Sequence, residues 1–224
     1  MATVNFYPDA SPERTTVDGT TYRGTTGVNE VFATIRAGDG TNEYQNDNAT
    51  TFEVRLDGSG TSNQYYILGR SFVLFDTSSI PANARITAAT LSLYGNAVIT
   101  NLGSTGFTCE VCAANPASNT AIAYTDHTNI SRTTFGSLAY ASYATGSYNV
   151  ITLNATGIAA ITKGGVTKFS LQSGWDYNNS FGGVWAANQA TLLRFESADT
   201  AVANAKPKLS VTYEIIGSLL TMFK

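Results

Sequence analysis

Charge is scarce in this 224-residue sequence: 13% of its residues are Asp, Glu, Lys or Arg, about half the share usual in soluble domains. With 13 basic against 16 acidic residues and a formal net charge of -3, no excess of lysine and arginine is available to neutralise a phosphate backbone or an anionic lipid surface. Nucleic acid and membrane are therefore not expected as partners. No apolar run approaches the roughly 20 residues needed to span a bilayer. The opening "MATVNFYPDASPERTT" has no basic stretch followed by an apolar one. That points to release without the general secretory route, as phage structural proteins are released on lysis, or to an export signal already removed.

Cysteine is nearly absent, with only Cys109 and Cys112 in "TCEVCAA", and His127 is the sole histidine. On a strand, residues three apart face opposite sides, so a disulfide between these two is not expected. One histidine and two cysteines do not complete a four-ligand zinc site. Buried structural thiols are the expectation.

What the sequence has in plenty is turn formers between short runs rich in Val, Ile, Thr, Phe and Tyr. "VDGTTYRG", "AGDGTNEYQNDN", "LDGSGTSNQ", "ITKGG" and "DYNNSFGG" punctuate the chain in the manner of a sandwich or barrel. Within "RSFVLF" the apolar residues are continuous, as in a strand covered on both faces. "ATLSLYG" alternates, with Ala89, Leu91 and Leu93 on one face. Further strands are predicted at "FTCEVCAA", "YNVITLN", "VTKFSLQS", "TLLRFES" and "PKLSVTYEI", and one short helix in "NATGIAAITKG", capped by Asn154 or Thr156 and stopped at Gly164. The expected fold is all-β: an antiparallel jelly-roll-like β-sandwich over residues 1–215 with one short helix. Phe72, Val73, Leu74, Phe75, Leu91, Leu93, Phe169, Leu171, Leu209 and Val211 are its expected core. The segment 216–224 is an apolar tail, with Leu219, Leu220, Met222 and Phe223 suited to contact with another subunit.

The stretch "RSFVLFDTSSIPANARITAATLSLYG", Arg70 to Gly95, resembles the centre of DNRLRE-type β-sandwich modules, which are related to a carbohydrate-binding module family. There a strand ending in Phe-Asp leads through Ser-Ser-Ile-Pro to a partner strand, with Ile80 expected to plug the core edge. "ITLNATGIAAITKGGVTKFSLQS" and "LLRFESADTAVANAKPKLSVTYE" are similar to the later part of the same modules, extending the resemblance to about Glu214. Two features depart from it: no tryptophan follows the Leu-Tyr strand in "NTAIAYTDHTNISRTTFGS", and no Asn-Tyr-Gly stretch stands near the front. The resemblance implies a sandwich and, by relation, carbohydrate binding.

Candidate chemistry is thin. Asp126-His127 suggests a general base, but neighbours on an extended chain diverge and no nucleophile turn accompanies them, so a polar loop is expected. Glycoside hydrolysis would require two facing carboxylates, and Glu43, Asp47, Glu53, Asp57, Asp176 and Glu196 cannot be paired by spacing. "DGTNEYQNDN" reads either as a solvated loop or as a structural calcium loop, with Asp39, Asn42, Glu43 and Asp47 as ligands. "SGWDYNNSFGGVWAA" holds both tryptophans. It reads either as core packing or as a glycan site in which Trp175, Tyr177 and Trp185 stack on sugar faces while Asp176 and Asn178 meet hydroxyls. The function expected is that of a non-enzymatic structural or adhesive surface protein. Its place would be the virion surface or the extracellular space, as a phage head decoration or tail-associated component. Its expected partners are other virion or surface subunits, including its own copies, and glycans. A secreted or cell-surface carbohydrate-binding module is the alternative.

Overall fold

Why the apolar residues Phe72 to Phe75 of "RSFVLF" run without a break becomes plain in the computed structural model, which describes residues 1–24, 29–44 and 49–216. The run lies in a central strand whose Val73 and Phe75 enter the main core. Phe72 and Leu74 face the other way, into a smaller cluster with Val17 and Ile122. The second cluster keeps the outer face of the sheet dry there, so neither face of the strand demands polar residues.

Among the described residues the strands run β1 (Ala2–Phe6), β2 (Asp18–Arg23), β3 (Asn42–Tyr44), β4 (Thr51–Gly58), β5 (Tyr65–Asp76), β6 (Ala84–Thr100), β7 (Thr108–Ala114), β8 (Ile130–Ala139), β9 (Tyr148–Thr152), β10 (Val166–Ser173), β11 (Ala190–Glu196) and β12 (Lys208–Ile215). Three short helices, α1 (Phe32–Ala37), α2 (Ala155–Ala159) and α3 (Gly174–Asn178), sit between them. The ladders are antiparallel, in the order β1-β12-β6-β11-β4-β5-β10-β7-β8. β9 lies beside β6, while β2 pairs with both β5 and β3. One curled sheet thus forms both layers of an all-β, jelly-roll-like sandwich, as expected.

The curl is carried by β6. Its first part, Ala84 to Tyr94, pairs with β12 and β9, and its last part, Gly95 to Thr100, pairs with β11 across a register shift at Arg194/Phe195. Gly95 stands at this corner because the Ala144 carbonyl oxygen lies 2.1 Å from where a Cβ would be. The expected pairing within Arg70–Gly95 is corrected by this arrangement. β5 and β6 are not hydrogen-bonded neighbours; the Ser-Ser-Ile-Pro connection crosses from one layer to the other. Ile80 is buried in the main core, consistent with its plugging role.

All ten expected core residues are buried. Cys109 lies in the main core and Cys112 is buried off that core beside Gln172, so the two thiols are free and on opposite faces. Burial pushes both thiols above their ordinary range. Helix α2 begins where expected, with the Asn154 side chain accepting from the Gly157 amide at 2.9 Å. It ends already at Ala159, and Gly164, at φ +76°, serves the turn before β10. No helix among the described residues is long and apolar enough to cross a membrane. Residues 217–224, which include Leu219, Leu220, Met222 and Phe223, lie outside the described residues.

Candidate functional site

The aromatic segment packs inward. Ser173 caps α3 by accepting from the Asp176 amide, and Asn179 closes the turn in the left-handed region at φ 52°. This tight turn drives Trp175 into the core, where its ring meets Phe107 and Phe181 edge-on at 4.7 Å each and its Nε1 donates to the Thr105 carbonyl at 2.7 Å. Trp175 is 1% exposed, so it presents no ring face to a sugar. Trp185 is half-buried, with Nε1 donating to the Gln64 carbonyl at 2.9 Å. Tyr177 is half-buried and Asn178 exposed. The five residues therefore do not share one surface, and core packing is the reading that fits Trp175 and Asp176.

Asp176 is fully buried within a set of arginines that sequence inspection did not assemble. Arg70 clasps it with two bonds, Nε to Oδ2 at 2.6 Å and Nη2 to Oδ1 at 2.8 Å. Arg132 Nη1 reaches Oδ1 at 2.9 Å and also donates to the Gln172 side chain. Arg36 Nε lies 3.3 Å from Oδ1. Burial pushes the Asp176 carboxyl up, yet Arg70 and Arg132 outweigh it and hold the group below its ordinary value. The available signal was an arginine in the middle of a largely apolar strand, since a buried guanidinium requires a partner.

Asp126 and His127 do not form the polar loop expected. Both are buried in a 3₁₀ turn at Tyr124–Thr128. The Asp126 carboxylate accepts from the amides of Ala117 and Ala123 and from the Asn129 side chain. His127 Nδ1 lies 2.9 Å from Thr21 Oγ1, and burial, followed by the nearby Arg70 charge, pulls its pKa down to about 3.

Of the calcium-loop residues, Asp39 and Asn42 are exposed, and Asp39 Oδ1 accepts from Thr128 Oγ1 at 3.3 Å. The Glu43 side chain and Asp47 lie outside the described residues. Among the described residues no group of three or more His, Cys, Asp or Glu side chains is arranged to hold a metal. The other carboxylates are engaged. Glu53 meets Arg55 and Arg194, Asp57 meets Arg55, and Glu196 accepts from Asn96 and Thr200.

An open groove of about 470 Å³ lies where the ends of β9 and β12 meet the chain after β1 and the loop before β12. It is lined by Tyr7, Tyr148, Val202, Asn204, Lys206 and Lys208, with Thr200, Ala201 and Ala203 completing the wall. Tyr7 is 46% exposed. The Tyr148 hydroxyl donates to the Lys206 carbonyl at 2.8 Å, and its ring lies edge-on to Tyr94 at 5.4 Å and 4.9 Å from Lys208 Nζ. The loop is anchored from below, with the Ala198 amide donating to Asp18 Oδ2 at 2.9 Å and Asp199 Oδ1 accepting from the Ser11 amide at 2.7 Å. Among the described residues neither Lys206 nor Lys208 is in an ion pair. The groove draws on segments about 60 and 140 residues apart, a separation across which no motif extends. Against known proteins, no family model and no curated protein matches this chain.

Proposed function

We propose that this chain is a non-enzymatic surface module of structural or adhesive type that engages a glycan in the Tyr7–Lys208 groove. The observation carrying this reading is the groove itself: tyrosine rings, an asparagine amide and two lysines outside any described ion pair border one open depression. Sugars offer C–H faces to aromatic rings and hydroxyls to amide and ammonium groups, which is the combination found here. The resemblance of Arg70–Gly95 to modules related to carbohydrate binders points the same way. A role as a virion component, such as a head decoration or tail-associated protein, is the placement we favour on the low charge and the apolar tail.

The test is a glycan array read with the intact chain and with Tyr7→Ala and Lys208→Ala. Binding by the intact chain should fall about tenfold or more in both variants. Their melting temperatures should stay within a degree or two of the parent, because Tyr7 is exposed and Lys208 is at the groove edge. Absence of binding to every glycan, or equal binding by all three proteins, sinks the proposal.

A further inference from the structure

Three guanidinium groups converge on the single carboxylate of Asp176, an imbalance that the interior does not need for its own sake. Arg70 alone satisfies both carboxylate oxygens. Arg36, from α1, and Arg132, from β8, arrive from the solvent side, with side chains 19% and 35% exposed. Both donate to one atom, the Asp176 carbonyl oxygen, Arg36 through Nε at 2.5 Å and Arg132 through Nη1 at 2.9 Å. Two like-charged groups are thereby held side by side. Neither is ion-paired with any other carboxylate among the described residues. The remaining donors, Nη1 and Nη2 of Arg36 and Nε and Nη2 of Arg132, make no hydrogen bond to the described residues.

We propose that Arg36 and Arg132 form a seat for a tetrahedral oxyanion, a phosphate or sulfate group, at the mouth of the Asp176 cluster. Planar guanidinium forks match such oxygens in pairs, and a doubly charged anion would offset the two positive charges that Asp176 leaves over. The state of Arg36 agrees: burial first and the adjacent Arg132 second lower its pKa from the ordinary arginine value. The seat is separate from the Tyr7–Lys208 groove and shares no residue with it.

The test is calorimetric titration of the full chain with sodium phosphate and sodium sulfate against sodium chloride at matched ionic strength. Concentrations stay below about 10 mM, where general salting effects on stability are small. Saturable binding of phosphate or sulfate is expected, weakened about tenfold or more in Arg36→Gln and in Arg132→Gln and retained in Arg14→Gln, an exposed arginine of neither site. Glucose 6-sulfate binding more tightly than inorganic sulfate, with that binding weakened in Arg36→Gln, would identify an esterified ligand as the source. Equal binding would identify a free ion, and either result supports the seat. No saturable heat above chloride with the parent chain overturns the proposal, as does undiminished binding in the arginine variants. Should Arg132→Gln fail to fold, Arg36→Gln and the parent titration decide the matter.

Discussion

Single buried ionisable residues set how this protein responds to pH. Asp18 is buried beneath the loop before β12, and burial is the chief reason its pKa is pushed up to about 8. Asp199 and Glu13 add to the rise, while the Ala198 amide and Lys206 oppose it. An unfolded aspartate titrates near ~3.9, so the fold binds a proton that the unfolded chain gives up. The resulting stabilisation is complete below about pH 4 and is lost as pH rises through about 8. His127 has the opposite sign. Its folded value of about 3 lies below the ordinary ~6.5, so its contribution is complete above ~6.5 and is lost as pH falls towards 3. From pH ~6.5 to 8 the Asp18 contribution is the larger of the two changes, because unfolded His127 is already at least half deprotonated there. Urea unfolding over that range should show stability falling with pH in the parent and a flatter profile in Asp18→Asn. Parallel profiles would show that Asp18 is not the group responsible.

At the scale of elements, α2 offers the cleanest link between a residue and a helix. Asn154 accepts from the Gly157 amide, and its Nδ2 donates to the Thr134 carbonyl at 2.9 Å, tying the helix start to β8. Asn154→Ala should cost about 1 kcal/mol, the usual worth of a cap, measured as a shift in the urea midpoint at unchanged slope. Asn154 was readable as a cap because it precedes a short Ala-Ile run, and the alternating or continuous apolar runs of β5, β9, β10, β11 and β12 were readable for the same kind of reason. β8 was not, because "ISRTTFGSLA" at the sheet edge buries only Phe135 and Leu138 well and shows solvent a row of Ser, Arg and Thr. α3 was hidden for another reason: its tryptophan and aspartate looked like ligand chemistry, whereas Trp175 closes the core and Asp176 answers Arg70. The groove and the arginine cluster join residues distant in the chain, so only the folded arrangement brings them together.

For the molecule as a whole, the central fact is that β6 belongs to both layers. Two separate sheets stacked face to face could part along the core, each keeping its own hydrogen bonds. Here one backbone is laced to β12 and β9 at one end and to β11 at the other, so a hinge-like opening has to break the ladder at Gly95. The layers should then lose protection against hydrogen exchange together. Amides of Leu91 and Leu93 should exchange with the same free energy as that of Ile99, equal to that of global unfolding. Markedly faster exchange at Ile99 would mean that the corner yields first. If the amides keep pace, the strand that bends the sheet is also the seam that lets neither layer be peeled away while the other stands.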